Sequence, residues 1–436
     1  MPDFFWVGTG NWTGTGNAGR WYTTSGGGTK HAGVPTQTDN VIFDANSGAG
    51  SSCNLGGGLT GNCLNLYCNG YNGVGPTTTT ISGGSGAILN IYGDAQLSPN
   101  QIFDVKQYPT VVMTGTANAQ IATNGNSFGN LEISKTAGIQ VSCTDDLIGI
   151  GNATLTLTSG TLTINGNVTF GAFYTGGSAT RVLNMGSGTW TMTFEGEITS
   201  LPINTWEIAS STGLTLNKQT ATIRFIHARN ESSQNNSLTT GLRTALTNSA
   251  STIDIVDINL FNTTAGAKGL VLIGNEVIQY TGINLANRQL TGLTRGYGGT
   301  TTLASVPVGT AVIGVLQGNS TLTAPITSGV AAPISVVDAS LFPTSGVVYI
   351  GTEQIAYAGA NLTTNQLGTT SVGTPTQSHS ISDPVYSYQS KNFYGGGLTY
   401  NDVVFGCFGY KVRNYIYGAN TFSNIKNSQT GFTWSA

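Results

Sequence analysis

The segment ATLTLTSGTLTINGNVTF, residues 153–170, alternates apolar and polar side chains. Successive side chains of a β-strand point to opposite faces, so this alternation sends one set inward and turns the threonines outward. The inward set consists of Leu155, Leu157, Leu162, Ile164, Val168 and Phe170. Ser, Gly and Asn separate the apolar runs, as they do at turns. The segment therefore predicts short strands that each bury one face.

Similar short runs recur from about residue 41 to residue 230, as in NLEIS at 130–134 and TWTMTF at 189–194. A long train of such strands is typical of a solenoid, in which each coil buries the apolar face of its neighbour. We predict an all-β protein whose body, residues 41–230, is a parallel β-helix-like solenoid. A β-sandwich also uses short strands and remains the alternative, although Asn-Gly hairpin signals are nearly absent along 150–226.

The first forty residues differ from this body. Trp6, Trp12 and Trp21 are strung between glycines. Large aromatic side chains next to a solenoid can cover the open end of its core. We predict that residues 1–40 form a Trp-rich N-terminal cap.

The composition narrows the functional classes. Only 8% of the 436 residues are charged and 62 are glycine, against roughly 25% charged residues in ordinary soluble proteins. The 16 Lys and Arg residues are scattered and the net charge is −3, so no basic stripe predicts nucleic-acid binding. No run approaches the ~20 apolar residues that span a bilayer, which predicts no membrane insertion. The first residues also lack a signal-peptide pattern, and we expect synthesis and assembly in a cytoplasm.

Only one stretch favours a helix, TGLRTALTNSA at 240–250. The five cysteines match no zinc or CxxC spacing and predict buried free thiols. They are Cys53, Cys63, Cys68, Cys143 and Cys407. Three widely separated histidines, His31, His227 and His379, predict surface or packing roles. No metal and no cofactor are expected.

Residues 250–388 contain an internal duplication. LVLIGNEVIQYTG at 270–282 returns as VVYIGTEQIAYAG at 347–359. The shared skeleton predicts two copies of one small β-module, at 250–316 and 331–388, joined by a Ser/Thr/Pro/Gly linker. Residues 391–436 return to the sequence pattern of the body, so the pair of modules is expected to be an insertion in the solenoid.

Each copy carries a glutamate beside a glycine turn. The repeated motif consists of Gly274, Glu276 and Tyr280 in the first copy and Gly351, Glu353 and Tyr357 in the second. A two-residue turn at Gly274 predicts a hairpin in which Ile273 faces Glu276 and Val271 faces Ile278. Burying such a carboxylate unpaired costs several kcal/mol, so it needs donors. Loop amides, or Arg295 in the first copy, are the expected donors, which makes these glutamates structural rather than catalytic.

Other candidate sites come from acidic and aromatic residues. Glu195 and Glu197 in FEGEIT lie two positions apart and are weak catalytic candidates, with a solvated strand edge as the alternative. Asp145 and Asp146 predict a turn. Outward tyrosines suit stacking on sugar rings, with core or interface packing as the alternative. The glycan-binding candidates are Tyr394, Tyr400, Tyr410, Tyr415 and Tyr417.

Several segments resemble a known class of proteins. GNLEISKTAGIQVSCTDDL at 129–147, KNFYGGGLTYNDVVF at 391–405 and GANTFSNI at 418–425 are similar to the β-helical, glycine- and threonine-rich virion proteins of tailed bacteriophages. The IGxExIxYxG doublet resembles small modules embedded in phage tail and virion proteins. The resemblance implies a tail fibre, tailspike or decoration protein, commonly a homotrimer, that contacts other virion proteins. It supplies no catalytic motif.

Three functional classes follow from these expectations. The first is a structural virion protein of the tail fibre or spike type that contributes to host-surface attachment through a surface glycan. The second is a capsid decoration protein. The third is a polysaccharide-degrading tailspike. We expect a non-enzymatic virion protein, with an apolar C-terminal GFTWSA at 431–436 that packs on another subunit or a neighbouring virion protein.

Overall fold

The computed structural model of the chain describes residues 1–15, 19–48, 52–68, 80–99, 102–103, 109–150, 152–193, 205–226, 228, 238–258, 261, 269–315, 318–406 and 411–427. These residues form an all-β protein without an α-helix. Two single turns of 3-10 helix span Tyr297–Gly299 and Ala339–Leu341. The predicted all-β class is therefore confirmed.

The strands of the body are given in chain order. The first group is β1 (Asp3–Trp6), β2 (Gly10–Asn11), β3 (Trp21–Thr24), β4 (Gly27–Lys30), β5 (Asn40–Ile42), β6 (Ser52–Asn54), β7 (Thr60–Cys63), β8 (Leu66–Tyr67), β9 (Thr80–Ser82), β10 (Ile88–Ile91), β11 (Ala95–Gln96) and β12 (Ile102–Phe103). The second group is β13 (Thr110–Gly115), β14 (Ala119–Ala122), β15 (Ser127–Phe128), β16 (Leu131–Lys135), β17 (Gln140–Cys143), β18 (Leu147–Gly149), β19 (Thr154–Ile164), β20 (Val168–Phe170), β21 (Ala172–Thr175), β22 (Arg181–Asn184), β23 (Thr189–Met192), β24 (Trp206–Ile208), β25 (Leu214–Asn217) and β26 (Thr222–Phe225).

The remaining strands belong to the duplicated region and the C-terminal part. They are β27 (Thr239–Gly241), β28 (Leu246–Thr247), β29 (Thr252–Asp254), β30 (Gly269–Ile273), β31 (Glu276–Tyr280), β32 (Gly282–Asn284), β33 (Gln289–Thr291), β34 (Ser305–Val306), β35 (Ala311–Val315), β36 (Asn319–Thr321), β37 (Ile334–Ser335), β38 (Ser345–Ile350), β39 (Glu353–Asn361), β40 (Gln366–Val372), β41 (Pro384–Tyr394), β42 (Thr399–Phe405), β43 (Lys411–Tyr417) and β44 (Thr421–Asn427).

Parallel pairing organises most of the body into three ladders, and a separate parallel sheet joins β2, β6, β9 and β12. Ladder A joins β1, β5, β8, β11, β14, β17, the second half of β19, β22 and β25. Ladder B joins β7, β10, β13, β16, the first half of β19, β21, β24, the second half of β41 and β43. Ladder C joins β15, β18, β20, β23, β26, β42 and β44. From β13 to β26 the chain visits the ladders in the repeating order B, A, C.

Apolar side chains of the three ladders share one core. All six inward positions predicted in residues 153–170 are buried, with at most 1% exposure. Along ladder B the register stacks Leu155, Phe173, Trp206 and Phe393 on one another. Phe173 and Trp206 have ring centroids 4.5 Å apart. Burial of this kind stabilises by roughly 25 cal/mol per Å² of apolar surface.

The N-terminal tryptophans end this core. Trp6, Trp12 and Trp21 are each at most 1% exposed. The Trp21 ring lies 4.7 Å from that of Trp6 and 5.0 Å from that of Trp12, edge to face. Trp21 Nε1 also donates a hydrogen bond to the Trp12 carbonyl at 2.8 Å. Four cysteines, Cys53, Cys63, Cys68 and Cys143, are buried free thiols as predicted, while Cys407 lies outside the described residues.

After β26 the chain builds two antiparallel modules of the same plan. Module 1 is residues 238–315 and module 2 is residues 318–387. Module 1 has a four-stranded sheet in the order β27-β35-β30-β31, and module 2 repeats that order as β36-β41-β38-β39. In module 2 the sheet continues, because β39 also pairs with β40 and β40 pairs with β37. Each module also has its own apolar cluster. β41 begins in module 2 and continues as a strand of ladder B, where Phe393 pairs with Trp206.

The predicted helix at 240–250 is wrong. Thr239–Gly241 and Leu246–Thr247 are strands instead, paired with β35 and β34. Leu242 and Leu246 are buried in the core of module 1. Pairing and burial in this module override the weak helix propensity of a segment rich in threonine and glycine.

Candidate functional site

A row of outward side chains crosses ladder B near its C-terminal end. The register places Tyr174 of β21 beside Glu207 of β24, Glu207 beside Tyr394 of β41, and Tyr394 beside Tyr417 of β43. Phe173, Trp206 and Phe393 point into the core, so their sequence neighbours in this row point outward. Neighbouring strands lie about 4.8 Å apart, so the row repeats at that interval along the ladder.

The tyrosine rings of this row are accessible and parallel. Tyr174 is 40% exposed and Tyr417 is 36% exposed, while Tyr394 and Tyr415 are half-buried. The rings of Tyr394 and Tyr417 stack with centroids 4.1 Å apart and an interplanar angle of 14°. Tyr415 lies parallel to Tyr417 at 6.1 Å. Tyrosine rings have flat amphipathic faces of the kind that pack on sugar rings, and here one face of Tyr394 and one face of Tyr417 are already covered by each other.

Carboxylates flank the tyrosines. Glu207 stands directly between Tyr174 and Tyr394, and Glu132 lies further along the same row, opposite Thr156. Burial, then the neighbouring Tyr417 and the Glu207 carboxylate, raise the pKa of Tyr394. The Tyr394 phenol therefore stays protonated at neutral pH and can donate a hydrogen bond to a hydroxyl-rich ligand.

Two of the five predicted glycan-binding tyrosines, Tyr394 and Tyr417, lie in this row, and a third, Tyr415, lies beside it on the strand of Tyr417. Tyr400 does not lie there, which corrects its assignment: it is 1% exposed, and its hydroxyl donates to the Gly395 carbonyl at 2.8 Å. Burial raises the pKa of Tyr400, with a smaller opposing effect from Trp206. Tyr410, Glu195 and Glu197 lie outside the described residues. Tyr174 was missed, although the alternation in AFYT marks it as outward.

The first repeat glutamate is fully buried and saturated by donors. Glu276 Oε1 accepts from Arg295 Nε at 2.7 Å and from the Gly296 amide at 2.9 Å. Its Oε2 accepts from Arg295 Nη2 at 2.8 Å and from the Leu303 amide at 2.9 Å. Although burial alone raises the pKa of Glu276, these donors together hold it below the usual value. The predicted partners Ile273 opposite Glu276 and Val271 opposite Ile278 are confirmed.

The second repeat glutamate has a different donor set. Glu353 Oε1 accepts from the amide and the hydroxyl of Thr376, the hydroxyl at 2.8 Å. Its Oε2 lies 2.6 Å from His379 Nε2 and accepts from the Gln377 amide at 3.3 Å. Burial raises the pKa of Glu353, but the hydrogen bonds hold it below its usual range. His379 was expected to be a surface or packing residue, and its contact with Glu353 was not predicted.

His379 stands where module 1 has an apolar residue. Its backbone pairs with Ile326, as Val306 pairs with Leu246 in module 1. Glu276 is fully buried and Glu353 is 7% exposed, and each of their four carboxylate oxygens accepts a hydrogen bond. The arrangement of both glutamates is that of buried struts that tie a loop to a hairpin.

The acidic pair at 145–146 is also internal to the fold. Asp145 accepts from the Thr123 and Asn124 amides at 2.9 and 2.6 Å. Asp146 accepts from the Asn167 amide at 2.7 Å. Both carboxylates therefore connect the corners of successive strands. Within the described parts of the chain, no group of His, Cys, Asp and Glu residues is arranged to hold a metal ion.

Comparisons with protein families, curated proteins and solved structures find no match to this chain. The candidate site therefore depends on its own geometry. Among the described residues there is also no helix long and apolar enough to cross a membrane.

Proposed function

We propose that the chain is a bacteriophage virion structural protein of the tail fibre or spike type, which contributes to attachment to a host-surface glycan. The observation that carries the attachment role is the outward row Tyr174, Glu207, Tyr394 and Tyr417 on ladder B. Aromatic faces beside a carboxylate provide both stacking and hydrogen bonding to sugar hydroxyls.

The body is proposed to be a parallel β-helix. The repeating order of ladders B, A and C from β13 to β26 supports this architecture, since each circuit adds one strand to each ladder. Side-chain ladders between circuits also support it: Asn217 Nδ2 donates to Asn184 Oδ1 at 2.7 Å, and Asn184 Nδ2 donates to Thr163 Oγ1 at 2.9 Å. A rod built this way resists bending, which suits an appendage under load.

The scarcity of charge supports assembly with other subunits. With only 8% charged residues, the outer faces consist mostly of neutral polar side chains, which cost less to desolvate than charged ones. A homotrimer that contacts other virion proteins is the proposed assembly. The chain is proposed to act without catalysis, because the described carboxylates of the repeat are saturated by donors.

Two measurements test the proposal. Antibody against the purified chain is expected to label phage particles along the tail or at its tip in immunogold electron microscopy. Label over the head would favour a decoration protein, and particles without label would overturn the virion assignment.

The attachment role is tested by glycan binding. Tyr394→Ala and Tyr417→Ala are each expected to weaken binding to host-surface polysaccharide by about tenfold, which corresponds to about 1.4 kcal/mol. The control is Tyr22→Ala, a half-buried tyrosine at the N-terminal end of the chain, which is expected to bind like the unaltered protein. Equal binding by all three variants would remove the tyrosine row from the proposal.

A further inference from the structure

The two modules share a plan but differ in what covers one face of their sheets. In module 1 most of the side chains that point away from the module's own core are buried, at 7% exposure or less. They are Leu270, Leu272, Val277, Ile313, Val315 and Thr239. Most of them form an apolar cluster with Ile226 and Ala228, which follow β26 of the body. We call this face of either module the docking face.

The docking face of module 1 is seated on the body. Gly241, which shares this face with Thr239, approaches Gly125 so closely that an added Cβ would meet the Gly125 carbonyl oxygen at 2.0 Å. At the other end of the sheet, Arg224 of ladder C donates to the Gly274 carbonyl and to Asn275 Oδ1, both at 3.0 Å. Module 1 therefore lies on the outer side of ladder C, from the corner before β15 to β26.

Backbone contacts establish which residues of module 2 are equivalent. The Val256 amide donates to the Gly241 carbonyl at 3.0 Å, and the Val337 amide donates to the Thr321 carbonyl at 3.1 Å. The Asp257 amide donates to Thr240 Oγ1, as the Asp338 amide donates to Ser320 Oγ. Leu242 bridges to Ile255, as Leu322 bridges to Val336. Val337 is thus the counterpart of Val256.

The counterparts have opposite environments. Val256 is 2% exposed, whereas Val337 is 59% exposed. On the sheet, Tyr349 pairs with Tyr386 where module 1 has Leu272 beside Ile313, and both tyrosines are half-buried. Gln354 is exposed where Val277 is buried. The docking face of module 2 therefore keeps the strand order of module 1 and is at least partly accessible within the described residues. It has tyrosine in place of Leu272 and Ile313 and glutamine in place of Val277.

We infer that the docking face of module 2 binds a second copy of this chain, on the outer side of its ladder A. Tyrosine is enriched at surfaces that are wet in the free protein and buried in a complex. In module 1 the docking face packs on the outer side of a ladder of short parallel strands, so the docking face of module 2 is expected to pack on a similar surface. Ladder A offers another such side, with Thr163, Asn184 and Thr215 at least partly accessible.

Electrostatics agree with this pairing. The docking face of module 2 carries Asn319, Thr321, Val337, Val347, Tyr349, Gln354 and Tyr386, and none of these is an Asp, Glu, Lys, Arg or His. The outward residues of ladder A from β17 to β25 are also neutral: Gln140, Ser142, Thr161, Thr163, Val182, Asn184, Thr215 and Asn217. Two neutral polar surfaces associate without charge steering, so the complex is expected to persist in high salt.

Sedimentation velocity of the full chain over a range of concentrations tests the inference. The unaltered protein is expected to self-associate at 0.1 M and at 1 M salt, and Val337→Asp is expected to weaken self-association at least tenfold. Val337 is mostly exposed, so this change leaves the fold of the monomer intact. The control is Leu362→Glu, an exposed residue in the turn after β39, which is expected to associate like the unaltered protein.

A second variant tests the ladder A side of the proposed contact. Thr215→Arg, on the exposed end of ladder A, is expected to weaken self-association as Val337→Asp does. A monomeric unaltered protein, undiminished association of Val337→Asp, or undiminished association of Thr215→Arg would each overturn the inference. None of these outcomes bears on glycan binding by Tyr394 and Tyr417, so the inference and the proposed attachment role can fail separately.

Discussion

Glu276 and Arg295 form a two-pronged ion pair inside module 1, with Nε to Oε1 at 2.7 Å and Nη2 to Oε2 at 2.8 Å. In module 2 the same carboxylate position, Glu353, instead contacts His379 Nε2 at 2.6 Å. Arg295 follows β33, whereas His379 lies at the position equivalent to Val306 of β34. The buried acid is common to both modules, and its principal side-chain partner has moved to another part of the fold.

Removal of Arg295 is expected to destabilise module 1. Arg295→Met leaves the Glu276 carboxylate buried with only the Gly296 and Leu303 amides as donors. Loss of one partner of a buried pair typically costs about 3–5 kcal/mol. Urea unfolding followed by far-UV circular dichroism measures the change in unfolding free energy. Module 1 contains no tryptophan, so tryptophan fluorescence would not report on it directly.

The matched control for that experiment is Arg243→Met. Arg243 Nη2 lies 3.7 Å from Asp254 Oδ2, and both side chains are partly exposed. Such pairs contribute roughly 0–1 kcal/mol. Equal stability losses in the two variants would contradict the strut role of Glu276.

Acid is expected to weaken both modules through their glutamates. The pKa of Glu353 is held below its ordinary value of 4.5 in the folded chain. The unfolded chain therefore binds more protons as pH falls, so the stabilisation is complete above pH 4.5 and is lost as pH drops through the lower folded pKa. Unfolding free energies measured from pH 6 to pH 2 are expected to fall less steeply for Glu353→Gln. An unchanged slope in this variant would show that other carboxylates account for the acid sensitivity.

The buried Lys135 predicts a dependence of the same sign at alkaline pH. Burial lowers the pKa of Lys135 to about 8 from 10.5, with a smaller opposing effect from Asp94. Its Nζ donates to the Tyr92 carbonyl at 2.7 Å and to the Thr114 carbonyl. Between these two pKa values the folded chain loses its proton before the unfolded chain does, so the unfolding free energy is expected to rise from pH 8 to pH 10.5. Lys135→Met is expected to remove that rise in a thermal unfolding series, and a rise that persists would assign it to another group.

Alternation and turn chemistry account for most of what was predictable. The six inward residues of 153–170 are buried, and the hairpin pairs around Gly274 have the expected register. These features depend on side-chain direction in a strand and on a two-residue turn, which are local properties. The donor role of Arg295 followed from the rule that a buried carboxylate needs partners.

Features that depend on distant contacts were not predictable. The sequence does not show whether the side chain of Tyr400 points inward or outward, because the alternation breaks at Asn401. In the structure Tyr400, Val403 and Phe405 all point inward. The role of His379 arises from the pairing of its strand with Ile326, more than fifty residues earlier. The contact between Gly125 and Gly241 joins the body to module 1, and no sequence pattern marks which glycine faces another element.

The last prediction concerns the contact by which module 1 packs on the body. An added Cβ at Gly241 would meet the Gly125 backbone, with the carbonyl oxygen at 2.0 Å and the carbonyl carbon at 2.9 Å. Backbone cannot rotate away as a side chain can, so Gly241→Ala is expected to separate module 1 from ladder C and to cost about 1–3 kcal/mol. The control is Gly33→Ala, where an added Cβ meets nothing within 4 Å. Separation exposes Leu272 and Ile313, so Gly241→Ala is expected to unfold in two steps and to bind a hydrophobic dye before the main transition. If Gly241→Ala instead unfolded in a single transition with the same midpoint as Gly33→Ala, the attachment of module 1 to the body would not depend on this close approach.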